Sequence, residues 1–153
     1  MLNIYVLEDH FIQQNRIEEV IHTILKKNNI KVGDFEVFDK PNQLLDFITE
    51  RGSHQLFFLD IQIKDDTKKG LEVAKQIRKS DPYANIVFFT THSEYLPLTF
   101  QYQLAALDFI DKSLEGEDFQ KRLESIILLT CKKIQSQNPE DAFRIENVKT
   151  VIQ

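Results

Sequence analysis

The chain has 153 residues, of which 42% are hydrophobic and 28% charged, with a net charge of −5 and a single cysteine, Cys131. This length and composition are typical of one globular domain with its own core. The acidic balance argues against nucleic-acid binding by this segment itself, and one cysteine excludes an internal disulfide. The N-terminus carries no export signal and no apolar run approaches about 18 residues, so we expect a cytoplasmic protein with no membrane partner.

The first half of the chain alternates apolar runs, which are typical of buried strands, with stretches of helical periodicity. A strand predicted at 2–7 precedes a helix whose apolar residues recur at i, i+3, i+4 and i+7, namely Ile17, Val20, Ile21 and Ile24. A weaker strand at 35–38 leads past Pro41 into a short helix that we expect to bury Leu44, Phe47 and Ile48. A third strand is predicted at 56–59, followed by a charged loop at 60–69.

The second half continues the alternation with a helix that carries Leu71, Ala74 and Ile77. A fourth strand at 86–89 precedes a helix at 93–102, whose Pro97 is tolerated only in the first turn. A fifth strand at 106–110 leads into a long helix at 114–135 that presents one face of Phe119, Leu123, Ile126, Ile127 and Thr130. Five strands alternating with five helices predict a parallel sheet covered on both faces, in the flavodoxin-like order 2-1-3-4-5.

Residues 138–153 have a different pattern. Pro139 ends the last helix, and the segments 143–146 and 150–153 each resemble a short strand. Two such strands are too little to fold alone. They form either a terminal hairpin or the beginning of a second domain, and we favour the latter, with 1–137 as one domain.

Polar residues follow the central strands at the edge where parallel sheets bind ligands. In chain order they are Glu8, Asp9, Asp60, Thr90, Thr91, Asp111 and Lys112. Each alone has an ordinary structural explanation, but together they predict a site. Crowded carboxylates repel each other unless they share a proton or a cation, and oxygen donors favour Mg²⁺ or Mn²⁺. The four histidines and the cysteine are scattered, so a zinc site is not expected.

This set of residues suits phosphoryl transfer to a carboxylate. A divalent ion and the Lys112 ammonium would offset the repulsion between an anionic donor and Asp60, and the product is an aspartyl phosphate. The Thr90 hydroxyl would then donate to the new anion, which makes the site a switch. No phosphate-binding glycine loop is present, and a phosphatase of the haloacid dehalogenase kind would carry a second Asp where this chain has Gln62.

From residue 1 to about residue 135 the chain resembles response-regulator receiver domains. The resemblance implies that Asp60 accepts the phosphoryl group. It implies that Glu8 and Asp9, with Asp60 and the backbone carbonyl of Gln62, hold the metal ion.

The same resemblance assigns the switch residues. Thr90 corresponds to the switch hydroxyl, Phe109 to the rotating aromatic and Lys112 to the phosphate-contacting lysine. Phe109 also fits an ordinary half-buried sheet residue, and Cys131 fits a packed position on the last helix. The implied output surface consists of the fourth helix, the fifth strand and the fifth helix. Exposed Tyr95, Leu98 and Tyr102 would support this surface, and the alternative is that they belong to the core.

Three sequence segments restrict the resemblance to one branch of the family: FFLDIQI, RKSDPYANIVFFTTHSEY and LTFQYQLAALDFIDK. They are similar to the branch of competence, bacteriocin and accessory-gene regulators, in which a LytTR-type DNA-binding domain follows the receiver. The branch implies a sensor histidine kinase as partner, a homodimer on phosphorylation, and DNA binding only through the C-terminal domain. Residues 138–153 would be the linker and the start of that domain.

Two features depart from the family. Ser113 follows Lys112 where receivers usually have proline in a cis bond, so we expect a trans bond here. The loop from Asp60 to Gly70 is longer than usual and lacks its customary proline. Two alternative functions are a degenerate receiver that acts as a phosphorylation-independent interaction module, and a small hydrolase that uses the same carboxylates.

Overall fold

Five parallel strands form the centre of the computed structural model, which describes residues 1–137. The strands are β1 (Leu2–Leu7), β2 (Val32–Phe38), β3 (Gln55–Leu59), β4 (Asn85–Thr90) and β5 (Asp108–Asp111). They pair in the order β2-β1-β3-β4-β5, and every pairing is parallel. The predicted flavodoxin-like topology is therefore confirmed. The predicted linker at 138–153 lies outside the described residues.

Five α-helices connect and follow the strands. They are α1 (Phe11–Lys27), α2 (Pro41–Phe47), α3 (Lys69–Ser80), α4 (Leu96–Gln101) and α5 (Gly116–Gln137). A single 3-10 turn, Ser93–Tyr95, precedes α4. None of the helices in the described part of the chain combines the length and apolarity that crossing a bilayer requires.

The core consists of two layers, one on each face of the sheet. Side chains along a strand alternate between faces, so Ile4 and Val6 of β1 pack with α1 and α5, whereas Tyr5 and Leu7 pack with α2 and α3. All residues of β1, β3 and β4 are buried. Burial on both faces explains why these strands are nearly continuous apolar runs in the sequence.

The structure corrects the predicted burial in α2 and decides between the two alternatives for the residues around α4. Phe47 was expected in the core, but it is 41% exposed, and Ile48 lies beyond the end of α2. For Tyr95, Leu98 and Tyr102 the sequence left exposure and core packing open, and all three are partly buried and pack against the core. Of these three residues only Leu98 lies within α4, whereas Phe100 on the same helix is 76% exposed.

The fifth strand begins later than its apolar pattern predicts, at Asp108 instead of Ala106. Gln103 and Ala105 both have positive φ, at 55° and 50°. Two left-handed residues so close together are incompatible with extended backbone. The chain therefore turns through this segment before it joins the sheet.

Gly70 sets how closely α3 approaches the end of β3. Its N–H donates to the carbonyl oxygen of Ile61 at 2.7 Å, and a Cβ at this position would lie 1.7 Å from the carbonyl oxygen of Asp60. The obstacle is backbone, so it cannot rotate away. Only glycine allows this approach, which holds the peptide unit that carries Asp60.

We expect Gly70→Ala to destabilise the fold by about 3 kcal/mol, because the methyl group must displace backbone beside Asp60. Urea denaturation measures the loss. Gly116→Asn is the matched control, since its Cβ meets nothing within 4 Å and asparagine tolerates its φ of 54°. Equal stability of Gly70→Ala and the parent would contradict this packing.

Candidate functional site

The parallel register of β1 and β3 places Glu8 and Asp60 side by side. Leu7 pairs with Leu59, and each acidic residue comes directly after its strand. The N–H of Asp60 donates to the carbonyl oxygen of Leu7 at 3.0 Å, which extends the pairing by one step. The backbone therefore fixes both carboxylates at one edge of the sheet.

Glu8, Asp9 and Asp60 form a carboxylate cluster, in which one ligand oxygen from each lies within 4.8 Å of the others. Glu8 is 0% exposed and Asp60 5% exposed, while Asp9 is partly buried. Within the described residues, Glu8 Oε2 is buried without a hydrogen-bond partner. A buried oxygen of this kind requires a proton or a cation. The all-oxygen donor set fits Mg²⁺ or Mn²⁺.

Lys112 brings a positive charge to this cluster. Its ammonium donates to Asp60 Oδ2 at 2.6 Å and also to Glu8 Oε1, and the residue is only 8% exposed. The ammonium lies 5.1 Å from the centre of the Phe89 ring. The backbone N–H of Lys112 donates to the carbonyl oxygen of Thr90 at 3.1 Å, which continues the β4–β5 pairing. The lysine thus offsets two buried carboxylates at once.

Burial raises the pKa of Glu8 to about 7, from an ordinary value of 4.5. The hydrogen bond and charge of Lys112 lower this pKa, and the charge of Asp60 raises it, but loss of hydration is the largest effect. Near neutral pH, a proton on Glu8 and a divalent cation therefore compete for the same oxygen atoms.

The loop after Asp60 folds over the mouth of the site. The N–H of Lys64 donates to Asp9 Oδ2 at 2.7 Å, and the side-chain amide of Gln62 donates to the carbonyl oxygen of Lys64 at 3.1 Å. The N–H of Gln62 donates to Asp60 Oδ1 at 3.3 Å. Ile63 and Asp66 close the loop with two backbone hydrogen bonds of 3.1 Å. The loop is long, but its own hydrogen bonds order it.

A cleft of about 280 Å³ opens above the carboxylates. Its lining includes five of the residues singled out in the sequence, Asp9, Asp60, Gln62, Thr91 and Lys112. It also includes residues that sequence reasoning did not assign to the site, namely His10, Gln13, Lys64 and His92. His10 and His92 each come one residue after a strand-end residue already singled out, and that adjacency was the available signal. Gln13 and Lys64 carry no comparable signal.

The two threonines after β4 occupy different environments. Thr90 is fully buried, and its Oγ1 accepts from the N–H of His92 at 3.1 Å. Thr91 is exposed and lines the cleft. Thr90 is therefore the buried neighbour of a residue that lines the cleft, and its carbonyl oxygen accepts from the backbone N–H of Lys112.

Phe109 lies outside the cleft. It is partly buried against the core layer beneath α4, and its ring centre is 6.5 Å from that of Phe88. It also lines a separate groove with Leu96 and Phe100. The described residues contain no cis peptide bond, so the bond between Lys112 and Ser113 is trans.

A five-stranded parallel α/β sheet that carries acidic residues and a lysine at its C-terminal edge is the form of a receiver. Residues 4–124 match the model of the response regulator receiver domain. The chain therefore belongs to this family, as its sequence predicted.

Two curated relatives show which kind of response regulator the chain resembles. Accessory gene regulator protein A of Staphylococcus epidermidis is 35% identical over 116 residues, which cover 76% of this chain and 48% of that protein. The Staphylococcus aureus protein of the same name is 33% identical over the same shares. The predicted similarity to accessory-gene regulators is confirmed. The chain spans about half the length of these relatives, with a coverage of 48%.

Solved structures show the same fold. The crystal structure of a response regulator receiver domain protein from Clostridium thermocellum superposes with a TM-score of 0.68 at 14% identity, and the match covers 90% of this chain and 100% of that one. At this identity the likeness concerns the fold alone.

The raised pKa of Glu8 predicts a pH dependence of stability in metal-free protein. Between about pH 4.5 and 7 the unfolded chain has ionised Glu8 while the folded protein keeps its proton. Stability from this group is thus complete below pH 4.5 and is lost as pH rises through 7, at up to about 1 kcal/mol per pH unit. Urea denaturation in EDTA at several pH values measures the slope.

Glu8→Gln is the control that isolates this group from the histidines and other carboxyls. It should be less sensitive to pH over the same interval. Parallel stability profiles of the parent and this variant would show that Glu8 has an ordinary pKa.

Proposed function

We propose that this chain is the phosphorylation-switched receiver of a two-component response regulator, with Asp60 phosphorylated by a sensor histidine kinase. The observation that carries the proposal is the position of Asp60, between two other carboxylates and 2.6 Å from the Lys112 ammonium. Asp60 is buried on all but the side of the cleft, from which a donor would approach. An acidic residue so placed is suited to act as an in-line nucleophile.

In the proposed reaction, an Asp60 carboxylate oxygen bonds to phosphorus while the P–N bond of the donor phosphohistidine breaks and its electrons leave with the imidazole. Lys112 already contacts Asp60 and would neutralise charge on the transferred group. Glu8, Asp9, Asp60 and the Gln62 carbonyl would hold Mg²⁺ or Mn²⁺, which supplies further positive charge for the phosphoryl oxygens. The chain is a phosphoacceptor with slow self-dephosphorylation and not a turnover enzyme.

The proposed output is a change of packing on the far side of β4 and β5. Thr90 is buried, and Phe109 packs against the core layer and lines a groove with Leu96 of α4. A movement of Thr90 toward a new anion would change the space open to Phe109. The exposed Phe100 lines the same groove as Phe109. We propose that phosphorylation favours a homodimer through this region.

We propose that residues 1–137 are the receiver domain and that 138–153 lead into a LytTR-type DNA-binding domain. The coverage of the curated relatives, 48% of their length, supports a longer parent protein. DNA binding and transcription control in a cytoplasmic peptide-pheromone circuit would then belong to that whole protein. This acidic segment, with its net charge of −5, would contribute the switch.

Asp60→Asn should abolish phosphorylation and preserve the fold, because the amide is nearly isosteric but is not a nucleophile. Incubation with acetyl phosphate and Mg²⁺, followed by intact mass spectrometry, should give one base-labile phosphoryl group on the parent and none on the variant. Asp46→Asn, which changes an exposed carboxylate on α2, should label like the parent.

Labelling of Asp60→Asn at the parental rate would place the phosphoryl group elsewhere. A parent that takes no label and binds no Mg²⁺ would instead favour the alternative of a phosphorylation-independent interaction module.

Thr90→Ala should still accept phosphate. It should lose most of the increase in dimer on phosphorylation, because the hydroxyl that would donate to the phosphoryl group is removed. Sedimentation velocity with and without a beryllofluoride mimic measures this increase. Thr91→Ala, one residue away and exposed, is the matched control and should dimerise like the parent. Equal dimerisation of all three proteins would remove Thr90 from the switch.

A further inference from the structure

Arg16 reaches from α1 to the loop that carries Lys112. One guanidinium nitrogen donates to the carbonyl oxygen of Lys112 at 2.7 Å, and the other donates to the carbonyl oxygen of Leu114. The guanidinium carbon lies 3.8 Å from the centre of the Phe119 ring on α5. One side chain thus connects α1, the β5–α5 loop and the first turns of α5.

These contacts suit an arginine in particular. The planar fork presents two donors toward two carbonyl oxygens, and hydrogen bonds from a charged donor are stronger than neutral ones. Partial burial lowers the pKa of Arg16 and the charge of Glu115 raises it. An arginine nevertheless stays cationic at neutral pH. A lysine could not contact both carbonyls in the same way.

The loop has few other constraints. Ser113 is exposed and follows a trans peptide bond, so no proline ring fixes the backbone there. Asp111 binds two backbone N–H groups of the loop. Its side chain accepts from the N–H of Ser113 at 2.8 Å, and its carbonyl oxygen accepts from the N–H of Leu114 at 3.2 Å. Arg16 binds two backbone carbonyl groups of the loop.

The carbonyl group of Lys112 is part of the planar peptide unit that joins Lys112 to Ser113. Fixing that plane therefore fixes the direction from which the flexible lysine stem begins. The ammonium at the end of the stem lies 5.1 Å from the centre of the Phe89 ring and donates to Asp60 Oδ2, at 2.6 Å, and to Glu8. A small rotation of the 112–113 peptide would move the ammonium off these two oxygen atoms.

We propose that Arg16 is a positioning residue, which holds the 112–114 backbone so that the Lys112 ammonium stays on Asp60 and Glu8. Arg16 does not itself line the cleft, but it donates to two residues that do, at Gln13 Oε1 (3.3 Å) and at the carbonyl oxygen of Lys112. Of these two residues Lys112 is the one that binds Asp60 and Glu8, so we assign the effect of Arg16 to Lys112. The proposal rests on the proposed role of Lys112 in phosphoryl transfer, but its test includes Mg²⁺ binding, which requires no phosphorylation.

The proposal predicts two effects of opposite sign. Lys112 and Mg²⁺ compete for the same carboxylates, so a loosened Lys112 should allow tighter Mg²⁺ binding. The same loosening should slow phosphorylation, because the ammonium no longer lies beside the incoming phosphoryl oxygens. General damage to the fold would weaken Mg²⁺ binding as well as phosphorylation.

The experiment compares Arg16→Met, Lys112→Met and the double variant with the parent. Calorimetric titration with Mg²⁺ should show about five-fold tighter binding for Arg16→Met. Labelling by acetyl phosphate at saturating Mg²⁺ should be about ten-fold slower. In the Lys112→Met background, Arg16→Met should change Mg²⁺ affinity by less than about two-fold, because the lysine through which it acts is gone.

Arg78→Met is the matched control. Arg78 on α3 also donates to several carbonyls, those of Leu104 at 2.8 Å, Pro82 at 2.9 Å and Ala84 at 2.8 Å. These carbonyls lie outside the cleft. Its loss should lower stability, measured by urea denaturation, without tightening Mg²⁺ binding.

Unchanged or weaker Mg²⁺ binding by Arg16→Met would overturn the proposal, as would an undiminished effect in the Lys112→Met background. If Arg16→Met does not fold, Arg16→Lys takes its place, since it keeps the charge without the fork. It should show both changes at smaller size, and parental values would overturn the proposal. A parent that is never labelled would refute the proposed function, while the Mg²⁺ titrations would still decide the role of Arg16.

Discussion

The site depends on keeping negative charge buried at the edge of a parallel sheet. Glu8 and Asp60 are almost completely removed from water, and one ammonium group, that of Lys112, contacts both. Two carboxylates and one lysine leave a deficit of positive charge, which a proton on Glu8 or a bound divalent cation can supply. Burial raises the pKa of Glu8 to about 7, mainly through loss of hydration, so Glu8 can hold that proton up to near neutral pH. The same deficit makes the site receptive to a cation.

The sheet explains why these residues meet. β1, β3 and β5 run parallel, so the residues that follow them lie at one edge although they are separated in the chain by 52 and 104 positions. The rule that ligands bind at this edge was sufficient to select Glu8, Asp60 and Lys112 from the sequence. The topology was equally accessible, because continuous apolar runs alternate with helical periodicity and right-handed crossovers leave few orders.

Other features could not be predicted from the sequence, for identifiable physical reasons. The phase of a helix as short as α4 is poorly defined by periodicity, so the exposure of Phe100 and the burial of Leu98 were not resolved. The start of β5 depends on two left-handed residues, Gln103 and Ala105, neither of which is glycine. The contacts of Arg16 depend on how α1 packs beside α5, which no local pattern encodes. Residues 138–153 lie outside the described part of the chain, and their proposed role rests on resemblance.

The two loops over the site are held in the same way. Both lack the proline that the resemblance led us to expect, and in each a side chain from the first β–α unit binds the loop backbone. Asp9 accepts from the N–H of Lys64, and Arg16 donates to the carbonyl oxygens of Lys112 and Leu114. The charge of each side chain suits the backbone group that it binds, since the anionic Asp9 accepts from an N–H and the cationic Arg16 donates to carbonyl oxygens. Asp9 is also a candidate metal ligand. A cation bound to its carboxylate would compete with the hydrogen bond from the N–H of Lys64. On the proposed metal site, ion binding and the conformation of the 60–69 loop would be coupled through a single carboxylate, that of Asp9.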